Sequence, residues 1–140
     1  MGVHYFCEDV TVPDFKRRKV TNWIKSVIFQ ETKIIGELSF IFCSDDYLLE
    51  VNKKYLQHDY FTDIITFDYV ENSQINGDIF ISVDRVKDNS VQFSTSFSNE
   101  LHRIIIHGVL HLLGYKDKKK EDKKLMTEKE DFYLKVLSDS

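Results

Sequence analysis

His107-Gly108-Val109-Leu110-His111-Leu112-Leu113-Gly114-Tyr115-Lys116-Asp117 sets two histidines four residues apart inside an apolar run, with a glycine and then a carboxylate beyond them. Residues four apart lie one above the other on a helix face. Two imidazoles so placed can share a tetrahedral zinc ion. Gly114 suits a left-handed helix C-cap, which turns the chain sharply. That turn can swing Asp117 back as a third ligand. Three protein ligands and an open fourth position describe a catalytic rather than a structural zinc site. The bland alternative is a buried helix with two satisfied core histidines.

The spacing resembles the metzincin pattern of metalloproteases, with one difference. The protease motif carries a glutamate after the first histidine as general base. Here that position is Gly108.

A chain of 140 residues, 42% hydrophobic with a single proline, fits one ordered domain, residues 1–140. No run reaches the roughly 18 apolar residues of a membrane span. Met1-Gly2-Val3-His4-Tyr5-Phe6 has neither the basic nor the apolar region of a secretion signal. The expectation is a cytoplasmic protein with no membrane contact. Cys7 and Cys43 form no paired motif and read as reduced core thiols. The net charge of −4 argues against indiscriminate nucleic-acid binding but allows local basic patches. Two stretches qualify: Lys16-Arg17-Arg18-Lys19, and the lysines from Lys116 and Lys118 onward to Lys129. The second is interleaved with Glu121, Asp122, Glu128, Glu130 and Asp131, which also fits a solvated helix.

The apolar pattern predicts a strand over 3–7 and a helix over 17–31 with Val20, Trp23, Ile24, Val27 and Ile28 inward. Gly36 reads as a break before a strand over 38–43. Ser44 with Asp45 and Asp46 caps a helix to about Leu56. Strands over 63–70 and 77–82 form a hairpin across a polar turn. A weak helix spans 84–93. A strong, central one begins at 98–100 and runs to Leu113. The last helix, 118–137, points Leu125, Met126, Phe132, Tyr133, Val136 and Leu137 to the core. The order β-α-β-α-β-β-α-α-α implies an α+β domain: one mixed sheet with helices packed over it and a zincin-like metal helix.

A second stretch, Asn52-Lys53-Lys54-Tyr55 through Thr62-Asp63-Ile64-Ile65-Thr66-Phe67, reads alone as loop and strand capping. Taken with Gly77-Asp78-Ile79-Phe80-Ile81-Ser82 and the His-Gly-Val-Leu-His-Leu-Leu-Gly-Tyr run, it resembles the YbeY family of bacterial metal-dependent endoribonucleases over about residues 36–135. The resemblance implies an α+β fold, one zinc per chain and a cytoplasmic location. It also implies action on single-stranded rRNA at the 3′ end of the small subunit, in maturation and ribosome quality control, with the small subunit or assembly factors as partners. The family motif usually places a histidine third ligand where Asp117 stands. A carboxylate is a legitimate zinc ligand but makes the metal a weaker Lewis acid. The family also usually has an arginine, suited to a phosphate, where this chain has Leu56. His58 and the lysines after Asp117 are the candidate replacements.

The expected chemistry is metal-assisted phosphodiester hydrolysis. His107, His111 and Asp117 are the metal ligands. Asp63, Glu100 and His58 are the candidate catalytic groups, and Thr62, Lys116 and Lys118 the candidate substrate contacts. A zinc peptidase or other small-substrate hydrolase is one alternative, weakened by Gly108. A non-catalytic, metal-stabilised assembly factor is another. Two histidines and a carboxylate also suit iron, manganese or nickel.

Overall fold

The structure is a computed structural model and describes residues 2–140; Met1, where the signal reading starts, lies outside them. Among the described residues the order is β1 (Gly2–Cys7), α1 (Arg17–Gln30), β2 (Ile34–Cys43), α2 (Asp45–Leu56), β3 (Ile64–Asp68), β4 (Gln74–Ser82), α3 (Val83–Gln92), α4 (Phe97–Leu112) and α5 (Lys120–Ser138). This is the predicted order. The sheet runs β1-β2-β4-β3, with β1, β2 and β4 parallel and β3 antiparallel to β4. It is the mixed sheet of an α+β fold.

Side chains alternate across a strand, and the sheet uses both faces. Leu38, Phe40 and Phe42 of β2 join Ile75, Ile79 and Ile81 of β4 in the main core, against α1, α4 and α5. Cys43, Leu48, Val51 and Ile65 form a smaller cluster under α2 on the other face, with Phe80 beside it. The five apolar positions predicted for α1 are its buried ones. Ser44 caps α2 as read, its side chain accepting from the Tyr47 N–H. No helix among the described residues is long and apolar enough to cross a membrane.

Four expectations need correction. Gly36 does not break the chain; it lies inside β2, where the register with β4 shifts by one residue between Ile35 and Leu38. The Asn76 side chain fills the space over Gly36 and accepts from the Glu37 N–H at 2.8 Å. Cys7 is exposed at the end of an edge strand, so only Cys43 is a core thiol. Leu125, Phe132 and Val136 face solvent. The buried stripe of α5 is instead Met126, Glu130, Tyr133 and Leu137, at spacings of four, three and four. Glu130, read from its charged neighbours as solvated, is therefore a buried carboxylate.

Helix α4 carries eight buried residues and lies flat on the sheet. Its side-chain cap is Ser96, two residues before the predicted start. Close approach depends on Gly108. A Cβ there would stand 3.0 Å from Ile79 and 3.1 Å from Ile64. The position that holds the base in the protease pattern thus faces the sheet.

Candidate metal centre

The last turn of α4 presents His107 and His111 on one side, their ring centroids 4.7 Å apart. The helix stops in a six-residue cap. The Tyr115 N–H donates to the Leu110 carbonyl and the Gly114 N–H to that of His111, each at 3.0 Å. This is the Schellman arrangement, and its left-handed residue is Gly114 at φ +105°. A side chain at that φ is strained whatever the space around it. The reversal returns Asp117 to the histidines. Its Oδ2 lies 3.2 Å from Nε2 of both His107 and His111.

These three ligand atoms lie within 4.8 Å of one another and could hold a metal ion. Their spacing tests the fit. Ligand atoms bonded at about 2.0–2.1 Å to a tetrahedral zinc stand about 3.3–3.4 Å apart. Both nitrogen–oxygen distances sit just below that.

Glu130 completes the design. His107 Nδ1 lies 2.6 Å from Glu130 Oε2, so a ring donating there would leave Nε2 for a metal ion. Arg103 donates to Glu130 at 2.8 Å and to Asp131 at 2.6 Å, fixing the carboxylate from behind. Burial alone would push the His107 imidazole down. The carboxylates of Glu130, Asp117 and Asp63 outweigh it and hold the ring above its ordinary range. Neither Glu130 nor Arg103 was singled out from sequence, although the four-three-four stripe of α5 marks Glu130. Replacing Glu130 by Gln keeps the shape but removes the charge behind His107. Zinc affinity, read by chelator competition, is expected to fall about 10–100-fold.

Beside His107 opens a cleft of about 270 Å³ whose walls include Asp63, Glu100, Arg103 and Glu130. Burial pushes the Asp63 carboxyl up, against the pull of His107, with Asp117 adding to the rise. Burial likewise raises Glu100, opposed by Arg103. The structure does not bring every candidate here. His58 is exposed on the loop before β3, stacked on Tyr60 with 5.1 Å between centroids. Thr62 donates to the Ile64 carbonyl at 3.3 Å, within its own loop. Neither lines the cleft. Lys116 and Lys118 flank Asp117, fully in solvent. Leu56 is 39% exposed at the end of α2 and offers no charge to a phosphate.

The strap carrying Asp117 is tied down by Glu31, just past α1. Glu31 accepts from the Tyr115 hydroxyl at 2.5 Å, from the Tyr133 hydroxyl, and from Lys129 at 3.3 Å. Burial would raise the Glu31 carboxyl; these donors overcome it and hold it below the usual range. A lowered folded-state pKa contributes stability above the unfolded value of about 4.3, and that contribution fades as pH falls through the folded value. Glu31→Gln is therefore expected to cost about 1–3 kcal/mol at pH 7. Denaturant titrations should show the gap from wild type closing below about pH 4.

The family model described as endoribonuclease YbeY matches residues 6–138. Similar proteins named endoribonuclease YbeY come from Parabacteroides distasonis, 50% identical over 98% of this chain and 96% of the relative, and Bacteroides fragilis, 53% identical over 90% and 91%. The solution structure of a Thermotoga maritima protein is similar in fold, with TM-score 0.69 and 24% identity over 96% of this chain and 88% of that one.

Proposed function

The chain belongs to the endoribonuclease YbeY family, and on that premise we propose that it is a metal-dependent endoribonuclease acting on single-stranded RNA. The proposed metal is zinc, one per chain, held by His107, His111 and Asp117. The proposed setting is the cytoplasm, in 3′-end maturation of small-subunit rRNA and ribosome quality control, with the small subunit or its assembly factors as partners. The observation that carries the reading is the trio itself, two Nε2 atoms each 3.2 Å from one carboxylate oxygen, beside an open cleft.

Bound zinc would supply a Lewis acid for the phosphoryl oxygens and a water of lowered pKa. The chain's own residues do the rest. Glu130 fixes the tautomer of His107. Asp63 and Glu100 are the candidate proton acceptors for the attacking water, since burial makes both carboxylates more basic than in water. Lys116 and Lys118, exposed on either side of Asp117, are the candidate contacts for phosphates flanking the cut. His58 and Thr62, outside the cleft, are left with contacts to the substrate strand beyond it. Peptide hydrolysis is disfavoured, because position 108 is turned to Ile64 and Ile79 and cannot carry a base into the cleft.

The test is chelation and reconstitution. Protein stripped of metal should lose cleavage of a single-stranded fragment of small-subunit rRNA and regain it on one equivalent of zinc, sparing the same sequence in duplex. Cleavage that persists in metal-free protein would overturn the reading.

A further inference from the structure

The cleft at His107 is the first of a series of adjoining hollows that we read together as one groove. Phe93, Glu100, Arg103 and Glu130 line both it and a hollow of about 890 Å³ between α4 and α5. That hollow shares Asn99, Leu134 and Ser138 with another of about 490 Å³. The latter shares Lys16 and Lys19 with a last one of about 790 Å³ at the start of α1. The far mouth is thus walled by Lys16, Arg17, Arg18 and Lys19, all exposed.

Those four cations sit against local preference. A helix N-terminus carries partial positive charge and favours acids. Helices α2, α3 and α4 obey, each with a serine cap and a carboxylate in the first turn. Helix α1 has no capping side chain and no acid in its first turn. No carboxylate among the described residues lies within ion-pair distance of the four. A local rule broken without visible compensation marks a functional surface, and a polyanion would supply the compensation. Between the two ends the walls are of another kind. Phe93, 62% exposed, offers a stacking face. Glu100 and Asp131 repel phosphates but offer acceptors to the amino groups of bases.

We propose that this groove binds a single-stranded RNA tail, its bases toward the α4–α5 walls and its backbone anchored on Lys16, Arg17, Arg18 and Lys19. The inference rests on the endoribonuclease reading and adds a second contact away from the reaction. From His107 to Asn99 is about 12 Å along α4, and the four cations lie in the hollows beyond Asn99, so only an RNA several nucleotides long reaches both ends.

The experiment uses zinc-loaded protein and RNAs of about three and about twelve nucleotides, within the usual range of single-strand sites. The Lys16→Ala, Arg17→Ala, Arg18→Ala, Lys19→Ala variant is expected to bind the longer RNA about tenfold more weakly. Its log–log salt dependence should be flatter by about two to three, and its preference for long over short RNA should shrink to match. Metal content should hold at the wild-type level. Tm should not fall, because cations leave the positive end of a helix. Phe93→Ala should weaken the longer RNA without changing the salt slope. Unchanged affinity and slope in the fourfold variant, with cleavage intact, would overturn the groove but leave the endoribonuclease. Loss of binding only to anionic phosphatidylglycerol vesicles would assign the patch to membranes and also overturn it. A wild type that neither binds nor cleaves either RNA would overturn both readings.

Discussion

His111→Ala is expected to lose the proposed metal ion and to cut single-stranded RNA at least about a thousandfold more slowly, the scale of losing a metal worth several kcal/mol of charge stabilisation. The fold should survive. The His111 side chain is 26% exposed, and its removal opens the cleft rather than a sealed cavity. The metal-free variant should melt within a few degrees of metal-free wild type. Elemental mass spectrometry beside a cleavage assay checks both halves. Asp117→Ala is expected to behave alike, because its Oδ2 lies 3.2 Å from both Nε2 atoms. Zinc retained at full stoichiometry by Asp117→Ala would require another third ligand. Full cleavage by a metal-free His111→Ala would return the pair to core packing.

The largest effect on stability is expected at Gly108, where Gly108→Glu recreates the protease pattern in sequence. Its Cβ would already press on Ile79 and Ile64. The carboxylate beyond would enter the face between helix and sheet without a partner. An uncompensated buried charge costs on the order of 3–5 kcal/mol, against total stabilities of about 5–15 kcal/mol. Little folded protein is expected at 37 °C. Gly108→Ala separates space from charge. It gains about 1 kcal/mol of helix propensity and gives back about 1–3 kcal/mol to overpacking, so a modest net loss is expected. Denaturant midpoints for the pair measure the contrast. A Gly108→Glu protein as stable as wild type would mean that position 108 faces the cleft after all, and would revive the peptidase reading.

How much of this was legible in the sequence depends on what each signal reports. Periodicity reports burial on one face, and it located the elements, their order and the inward residues of α1. Cap chemistry is local, and Gly114 with Ser44 disclosed their turns. What stayed hidden depends on partners distant in the chain. Glu130 reads as one acid among many until the phase of α5 sets it among Met126, Tyr133 and Leu137. Even then its purpose needs His107, 23 residues earlier. Gly36 reads as punctuation because the Asn76 side chain that fills its space lies on another strand. Leu125, Phe132 and Val136 were misplaced because an apolar side chain implies burial only on average. The candidate ligands were adjacent in sequence and so could be read together. The cleft walls come from separate elements, and of the residues beyond His107 only Asp63 and Glu100 are candidate catalytic groups from sequence.

The third of the candidate metal ligands does not ride on the helix that bears the other two. Asp117 hangs on a strap after Gly114, moored through Tyr115 to Glu31, just past the end of α1. Scaffold and ligand identity are thereby separable, since the side chain at 117 can be exchanged without repacking α4 against the sheet. An imidazole there would make the site electrically more positive and its metal a stronger acid. The protein holds a chemical dial on the outside of a rigid frame, and evolution can turn it without touching the core.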